Sequence, residues 1–472
     1  MGVRNLRTAV GILALALGAW GPIPQSEPPI QDRVPHFETE VTKLRGLGFS
    51  KPVKADIMTK DQFRTFLRKE VDRDMPADKA RLYARGLAKF GVIPKDLDLR
   101  EALVRLTLDA TAAFYDPDTK ELKVLSPGPG EPPVGFDALK KAGIDLEGAV
   151  LVHELTHAAQ DQAFDLSTLP LDTGDDDDLS LALRSLVEGD ASAVGWKYAF
   201  RGQFDAVIGL VDEGYKSGEL PGEAGKLPAY LRLTLTFPYG YGTEFVLACV
   251  RKKGGALSAA SDLFKDMPLS SEQILHPEKY LGERDDPIQV TLPDLSRLLG
   301  PEWKETFRNV HGEYSIRLIL REFESRKLSP IDVRRAAEGW GGDGYAVLED
   351  SRGRTAYVWY TTWDTDRDAA EFYEAYTLAL QKKYDKPLDG PAPSGPSRWA
   401  TGDTRVSCEL RGRDVLVLDG VGEDVLAKTQ AIWAGTAKKA KTTFERVHRK
   451  SEPPLPGNPD KRDGPREFSI GN

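Results

Sequence analysis

The amino-acid sequence predicts an α+β fold: a mostly helical domain with a small edge sheet, followed by a separate C-terminal α+β domain. Three observations carry this expectation. Helical apolar periodicity dominates residues 36–290, and only TKELKVL (119–125) alternates there as a half-buried strand does. Beyond residue 338, four strand-like segments interleave with two helical ones. A chain of 472 residues also exceeds the size of one ordinary domain.

The N-terminal MGVRNLRTAVGILALALGAW joins a short basic region, Arg4 and Arg7, to an apolar run too short to span a bilayer comfortably. Residues 1–20 therefore read as a secretory signal peptide or an uncleaved anchor, which implies an exported protein (periplasmic, cell-envelope or extracellular). A membrane tether is implied only through that segment. Residues 21–35, GPIPQSEPPIQDRVP, read as a Pro-rich disordered linker. Residues 36–100 form a helical lead-in region: DQFRTFLRKEVDRD and ADKARLYARGLAKFG are amphipathic, the second ending at Gly91.

Residues 101–290 make up the principal domain. EALVRLTLDATAAFYD runs as a helix towards the strand TKELKVL, and a Pro/Gly loop then precedes the helix containing VLVHELTHAAQDQ. The acidic loop DTGDDDDLS leads into the helix LALRSLVEGDASAVGWKYAF, and FPYGYGTEFVLACVRKKGG is a further helix ended by glycines. Residues 291–337 read as a helical connector. In the α+β domain, 338–437, GYAVLED, TAYVWYTTW, RVSCELRG and DVLVLDG are the strands, with DRDAAEFYEAYTLALQKKY and EDVLAKTQAIWAG as helices. Residues 450–472 read as a disordered tail of mixed charge.

Hydrophobic content of 40% and charged content of 29% are those of a globular protein, and the net charge of −9 argues against nucleic-acid binding. The two cysteines, Cys249 and Cys408, supply no CxxC metal site, and a disulfide between them is weakly supported.

The chemistry lies in HELTH. Helix positions i and i+4 share one face, so His153 and His157 can offer two imidazole nitrogens to one tetrahedral Zn2+. Glu154 is rotated to the side, where it can serve a water as general base. Two histidines leave the site incomplete. Glu188, between Val187 and Gly189 on an apolar helix, is the expected third ligand; the alternative is a salt bridge to Arg184. Outside HELTH, His276 stands out as an oxyanion donor, because Ser270 and Gln273 can cap its helix and Pro277 ends it; a structural hydrogen bond is the alternative. Tyr280 lies close by, and Tyr239 and Tyr241 are weaker candidates.

HELTHAAQDQ resembles the active helix of thermolysin-like enzymes, and VEGDA resembles the segment carrying the third ligand in aminopeptidase N-type enzymes. Both are gluzincins, zinc metallopeptidases with His, His and Glu ligands. A looser similarity, to an uncharacterised group of exported bacterial HExxH proteins, rests on FYDPDTKELKVL, HELTHAAQDQAFDL, LVEGDA, FPYGYGTEFV, SSEQILHPEKY and EGWGGDGYAVLED. The resemblance implies a zincin-like catalytic domain, His153, His157 and Glu188 as zinc ligands, and Glu154 as general base. It also implies a peptide or protein substrate held against an edge strand at 121–125. The sequence departs from the thermolysin-like pattern at Ser192, where an Asp would orient a zinc histidine, and Asp190 points elsewhere on an ideal helix. The competing readings are a zinc-binding, non-proteolytic cell-envelope binding or assembly protein, and zinc hydrolysis of a non-peptide bond.

Overall fold

The computed structural model describes residues 29–126, 144–171, 173–385, 397–402 and 404–441. The expected signal segment, the Pro/Gly loop before HELTH and the C-terminal tail lie outside these residues. The chain is mixed α+β, with a helical N-terminal part and a C-terminal sheet.

Helix α1 (Ile30–Arg45) begins inside the stretch expected to be a disordered linker and carries Pro35 within it. Ile30, Val34, Phe37 and Val41 recur at helical spacing and are all buried, and this apolar stripe outweighs the proline. Strand β1 (Lys54–Thr59) follows, then α2 (Lys60–Asp74), started by a Thr59–Gln62 capping box, and α3 (Ala77–Phe90), ended by Gly91 in the left-handed region. Helix α4 (Leu99–Ala110) leads to β2 (Ala113–Asp116) and β3 (Glu121–Ser126).

These strands form one sheet in the order β1-β3-β2, with β1 parallel and β2 antiparallel to β3. Two expectations are corrected here. Residues 36–100 are no separate lead-in, because β1 completes this sheet and α1 packs in the same core as the HELTH helix. The strand at 121–125 is central; the edge strands are β1 and the buried β2.

The HELTH helix, α5 (Leu146–Phe164), starts at Asp145, whose carboxylate accepts the Gly148 N–H. Helix α6 (Asp177–Phe200) carries Glu188, α7 (Phe204–Ser217) follows, and α8 (Ala229–Lys252) contains FPYGYG. Helices α6 and α8 touch backbone to backbone. A Cβ on Gly189 would lie 2.3 Å from the Gly242 carbonyl, and one on Gly242 would lie 2.3 Å from the Ser185 carbonyl oxygen. Only glycine permits that approach.

Short helices α9 (Ser271–Leu275) and α10 (Glu278–Leu281) precede β4 (Ile288–Thr291), α11 (Leu295–Leu299), β5 (Trp303–Asn309), α12 (Gly312–Arg321) and α13 (Pro330–Arg335). The remaining elements are β6 (Trp340–Asp350), β7 (Thr355–Trp363), α14 (Asp366–Tyr384), β8 (Ser397–Thr401), β9 (Thr404–Arg411), β10 (Asp414–Val421), α15 (Glu423–Leu426), α16 (Thr429–Gly435) and β11 (Ala437–Ala440). A six-stranded antiparallel sheet runs β5-β6-β7-β10-β9-β8, and β11 pairs with β4. The sheet therefore begins at Trp303, well before the boundary expected at 338, and residues 291–337 are not a purely helical connector. WKETFRN conceals its alternation because only Trp303 and Phe307 are apolar. EDVLAKTQAIWAG is two short helices rather than one.

One continuous core joins the two parts. Phe90 from α3 stacks on Tyr357 at 4.2 Å between ring centroids and meets His311, Tyr345 and Trp359 edge-on. Both cysteines are buried and free, so the weakly supported disulfide is absent. No helix among the described residues is long and apolar enough to cross a membrane.

Beside this contact, the fully buried Asp419 on β10 receives Lys89 from α3 and Lys383 from α14, each at 2.7 Å, and the Tyr384 hydroxyl at 2.5 Å. Burial works to raise the Asp419 pKa, but the two lysines outweigh it and hold the carboxyl at about 2. The unfolded value is about 3.9. Its stabilisation is thus complete above pH ~4 and is lost as pH falls towards 2. Asp419→Ala should cost about 3–5 kcal/mol by stranding buried lysines. In urea unfolding followed from pH 7 to pH 2.5, the gap between wild type and variant should narrow with acid; a gap independent of pH would refute this assignment.

Candidate metal centre

Helix α5 is buried on almost every side from Gly148 to Asp161, so its polar residues need partners inside the protein. His153 and His157 turn their Nε2 atoms towards each other at 3.1 Å. Glu188 Oε2 from α6 lies 3.3 Å from the first and 3.2 Å from the second. Four-coordinate zinc with bonds of about 2.0–2.1 Å sets its ligand atoms about 3.3 Å apart, so this triangle matches one face of the tetrahedron. Glu188 Oε2 is also buried and accepts no well-directed hydrogen bond. The residues fit a metal ion. The alternative pairing of Glu188 with Arg184 is not formed: the Arg184 Nε–H goes to the Leu171 carbonyl at 3.2 Å.

The tautomer of His157 follows from its neighbour. The Gln160 amide nitrogen donates to the Val187 carbonyl at 3.0 Å and to Asp190 Oδ2 at 2.9 Å. Its oxygen is therefore free to accept from His157 Nδ1, 2.9 Å away. With the proton on Nδ1, the Nε2 lone pair faces the centre, as a ligand requires. Asp190 is fixed in turn by Arg45 Nε, at 2.7 and 2.9 Å to its two oxygens, and both side chains are fully buried. Asp190 thus supports a histidine after all, through Gln160. Ser192 is buried with its hydroxyl unpartnered among the described residues.

Burial pushes the His153 pKa down. Burial also works against a charged His157, but Glu188 outweighs it and raises that imidazole to about 9. Burial opposes ionisation of Glu188 as well, yet the two imidazoles hold it at about 2.

Glu154 is fully buried, and burial raises its pKa well above the usual carboxylate range. Oε2 accepts the Tyr115 backbone N–H from β2 at 2.9 Å, whereas Oε1 is buried without a partner among the described residues. Tyr115 is itself held by its hydroxyl, which donates to Asp161 Oδ2 at 2.7 Å. A pocket lined by Tyr115, Leu166, Arg184 and Val187 opens beside His157 and Glu188.

His276 and Tyr280 are placed elsewhere. His276 Nε2 lies 3.1 Å from Glu313 and beside Arg317, the structural hydrogen bond weighed against a catalytic role. The Tyr280 hydroxyl donates to the Asp266 carbonyl, and its ring meets Phe245 edge-on. None of their polar or ring contacts reaches His153, Glu154, His157 or Glu188. Tyr239, by contrast, stacks on His153 with ring centroids 6.1 Å apart. A second acidic group, Glu272, Asp285 and Asp364, also has the spacing of a metal site. The Lys279 ammonium already lies 2.6–2.8 Å from all three.

Sequence reasoning missed Gln160, Arg45 and Tyr115. Gln160 was within reach, since it follows His157 by one helical turn. Arg45 and the Tyr115 backbone have no local signal.

A family described as a domain of unknown function (DUF8575) matches residues 297–430. That span covers the C-terminal sheet and does not include His153, Glu154, His157 or Glu188. No curated protein and no solved structure matches the chain.

Gln160→Leu keeps the helix and removes both the acceptor for His157 and the bond to Asp190. It should weaken zinc binding by about 10- to 100-fold. Competition against a chromogenic chelator measures this, and unchanged affinity would exclude the orienting role.

Proposed function

We propose that this chain is an exported zinc metallopeptidase. His153, His157 and Glu188 would hold the ion and Glu154 would act as general base. The observation that carries the proposal is the state of Glu154: a buried carboxylate next to three converging ligands, with one oxygen anchored and the other unpartnered. A purely structural metal site has no use for such a group.

Bound zinc would supply Lewis acidity, polarising a carbonyl and making a water easier to deprotonate. The protein's own part concerns position and protons. The Tyr115 N–H holds the carboxylate by Oε2, so Oε1 is the atom that would take a proton from the attacking water and pass it to the leaving amine. Gln160 and Asp190 hold the His157 ring in the ligating orientation.

A peptide substrate rests on the gluzincin resemblance of HELTHAAQDQ and VEGDA, and β2 serves to fix the general base. Ala112 bonds to Leu125 of β3, and the pairing alternates from there, so Ala113 and Tyr115 direct their backbone groups away from β3. The Tyr115 N–H points to Glu154. Export rests on the N-terminal sequence alone.

Elemental analysis of wild type and Glu154→Gln should give one zinc per chain in both. Cleavage of a broad peptide library should fall at least ~10²-fold in the variant. Stoichiometric zinc without Glu154-dependent cleavage would overturn the peptidase reading and leave the non-proteolytic metal-binding one.

A further inference from the structure

We propose that Arg184 reads a carboxylate on the substrate, so that the preferred peptide bears a negative charge on the residue entering the pocket beside the metal ligands. The inference rests on the peptidase reading and gives it a substrate class.

Arg184 precedes Glu188 by one turn of α6, so the two share a helix face. It lines the same pocket as His157 and Glu188, against apolar walls that include Leu166 and Val187. Its side chain is held at one point. Nε donates to the Leu171 carbonyl at 3.2 Å, and the guanidinium forms no ion pair among the described residues. The acid nearest in the chain with the right spacing, Glu188, is turned to the imidazoles instead. Asp118, on the exposed rim of the pocket, makes no ion pair with it either.

The consequence is chemical. With Nε committed, the Nη1 and Nη2 edge of the guanidinium remains, and that planar fork matches the two oxygens of a carboxylate. An arginine that only solvated the surface would have no reason to sit among leucine and valine side chains next to three metal-binding groups. The carboxylate could come from an Asp or Glu side chain or from the free C-terminus of the peptide, because both present the same two oxygens.

Calorimetric titration of the zinc-loaded full chain with succinic acid monohydroxamate and with its primary-amide analogue reads this preference without turnover. Wild type should bind the carboxylate probe about 10- to 100-fold more tightly, the range of a charge-assisted hydrogen bond. Arg184→Gln should bring the two probes to equal, measurable affinity, and Arg184→Lys should retain part of the gap. Equal binding of both probes by wild type would overturn the inference and leave the metal centre standing. Binding of neither would overturn the metal-centre reading and the inference with it. The source of the carboxylate is then read from kcat/KM on four peptides, differing in Glu or Gln beside the scissile bond and in a free or amidated C-terminus. Preference for Glu in the amidated pair assigns the side chain, preference for the free terminus in the Gln pair assigns the terminal carboxylate, and no preference in either pair overturns the proposal.

Discussion

Two imidazole nitrogens and a carboxylate oxygen, buried within 3.3 Å of one another, can coexist only if a positive charge is shared among them. Glu188 and the imidazoles favour one another's charged forms, which raises His157 and lowers Glu188. A divalent ion would supply that charge, since each of the three atoms could then direct a lone pair at one centre. The surrounding side chains follow from this demand. Gln160 cannot be replaced by a simple donor, because its oxygen must accept from His157 Nδ1 while its nitrogen serves Asp190 and Val187. Asp190, buried and charged, must in turn have Arg45.

Geometry at the next level decides whether Glu188 can take part. Helix α6 is pressed between α5 and α8, and glycines are placed where the backbones meet. Gly195 lies 2.8 Å, measured from an added Cβ, from the Ala149 carbonyl of α5, and Gly189 and Gly242 close the other side. With any side chain at 189, α8 would have to move outward, and Tyr239 would leave the face of His153.

What the sequence could show follows from distance along the chain. His153, Glu154 and His157 are legible because ligand geometry and helix geometry have the same period. Glu188 is legible because an acid between Val187 and Gly189 on a largely apolar helix demands a partner. The failures are equally physical. Strand β1 has its partner only across a crossover to β3, so KADIMT looks like any polar stretch in isolation. Arg45 meets Asp190 from the far end of another helix, and no local pattern announces such a pair. For His276 the local reading was sound, since Ser270 does accept the Gln273 N–H and the helix does end there. A fixed helix end says nothing about the direction in which the ring points, and this one points to Glu313.

The C-terminal sheet is tied to the site through the first turn of α6. Asn309, at the end of β5, accepts the Asp177 N–H at 2.8 Å, and Lys441, just past β11, pairs with Asp176 at 2.6 Å. Asp178 is buried against Gly312, where a Cβ would come within 1.7 Å of its carboxylate, and it accepts the Ser271 N–H at 3.1 Å. Gly312 also has φ +70, so both the backbone and the space call for glycine. Helix α6 is rigid between this clamp and the glycine contacts with α8, and Glu188 lies along it. The orientation of Glu188 therefore depends on residues more than a hundred positions downstream, within the span of the family match or just outside it. A C-terminal unit that merely packed nearby would not need to hold the N-terminus of this helix by two separate polar contacts, from Asn309 and Lys441. Its connection to the metal centre is mechanical, through the register and tilt of α6.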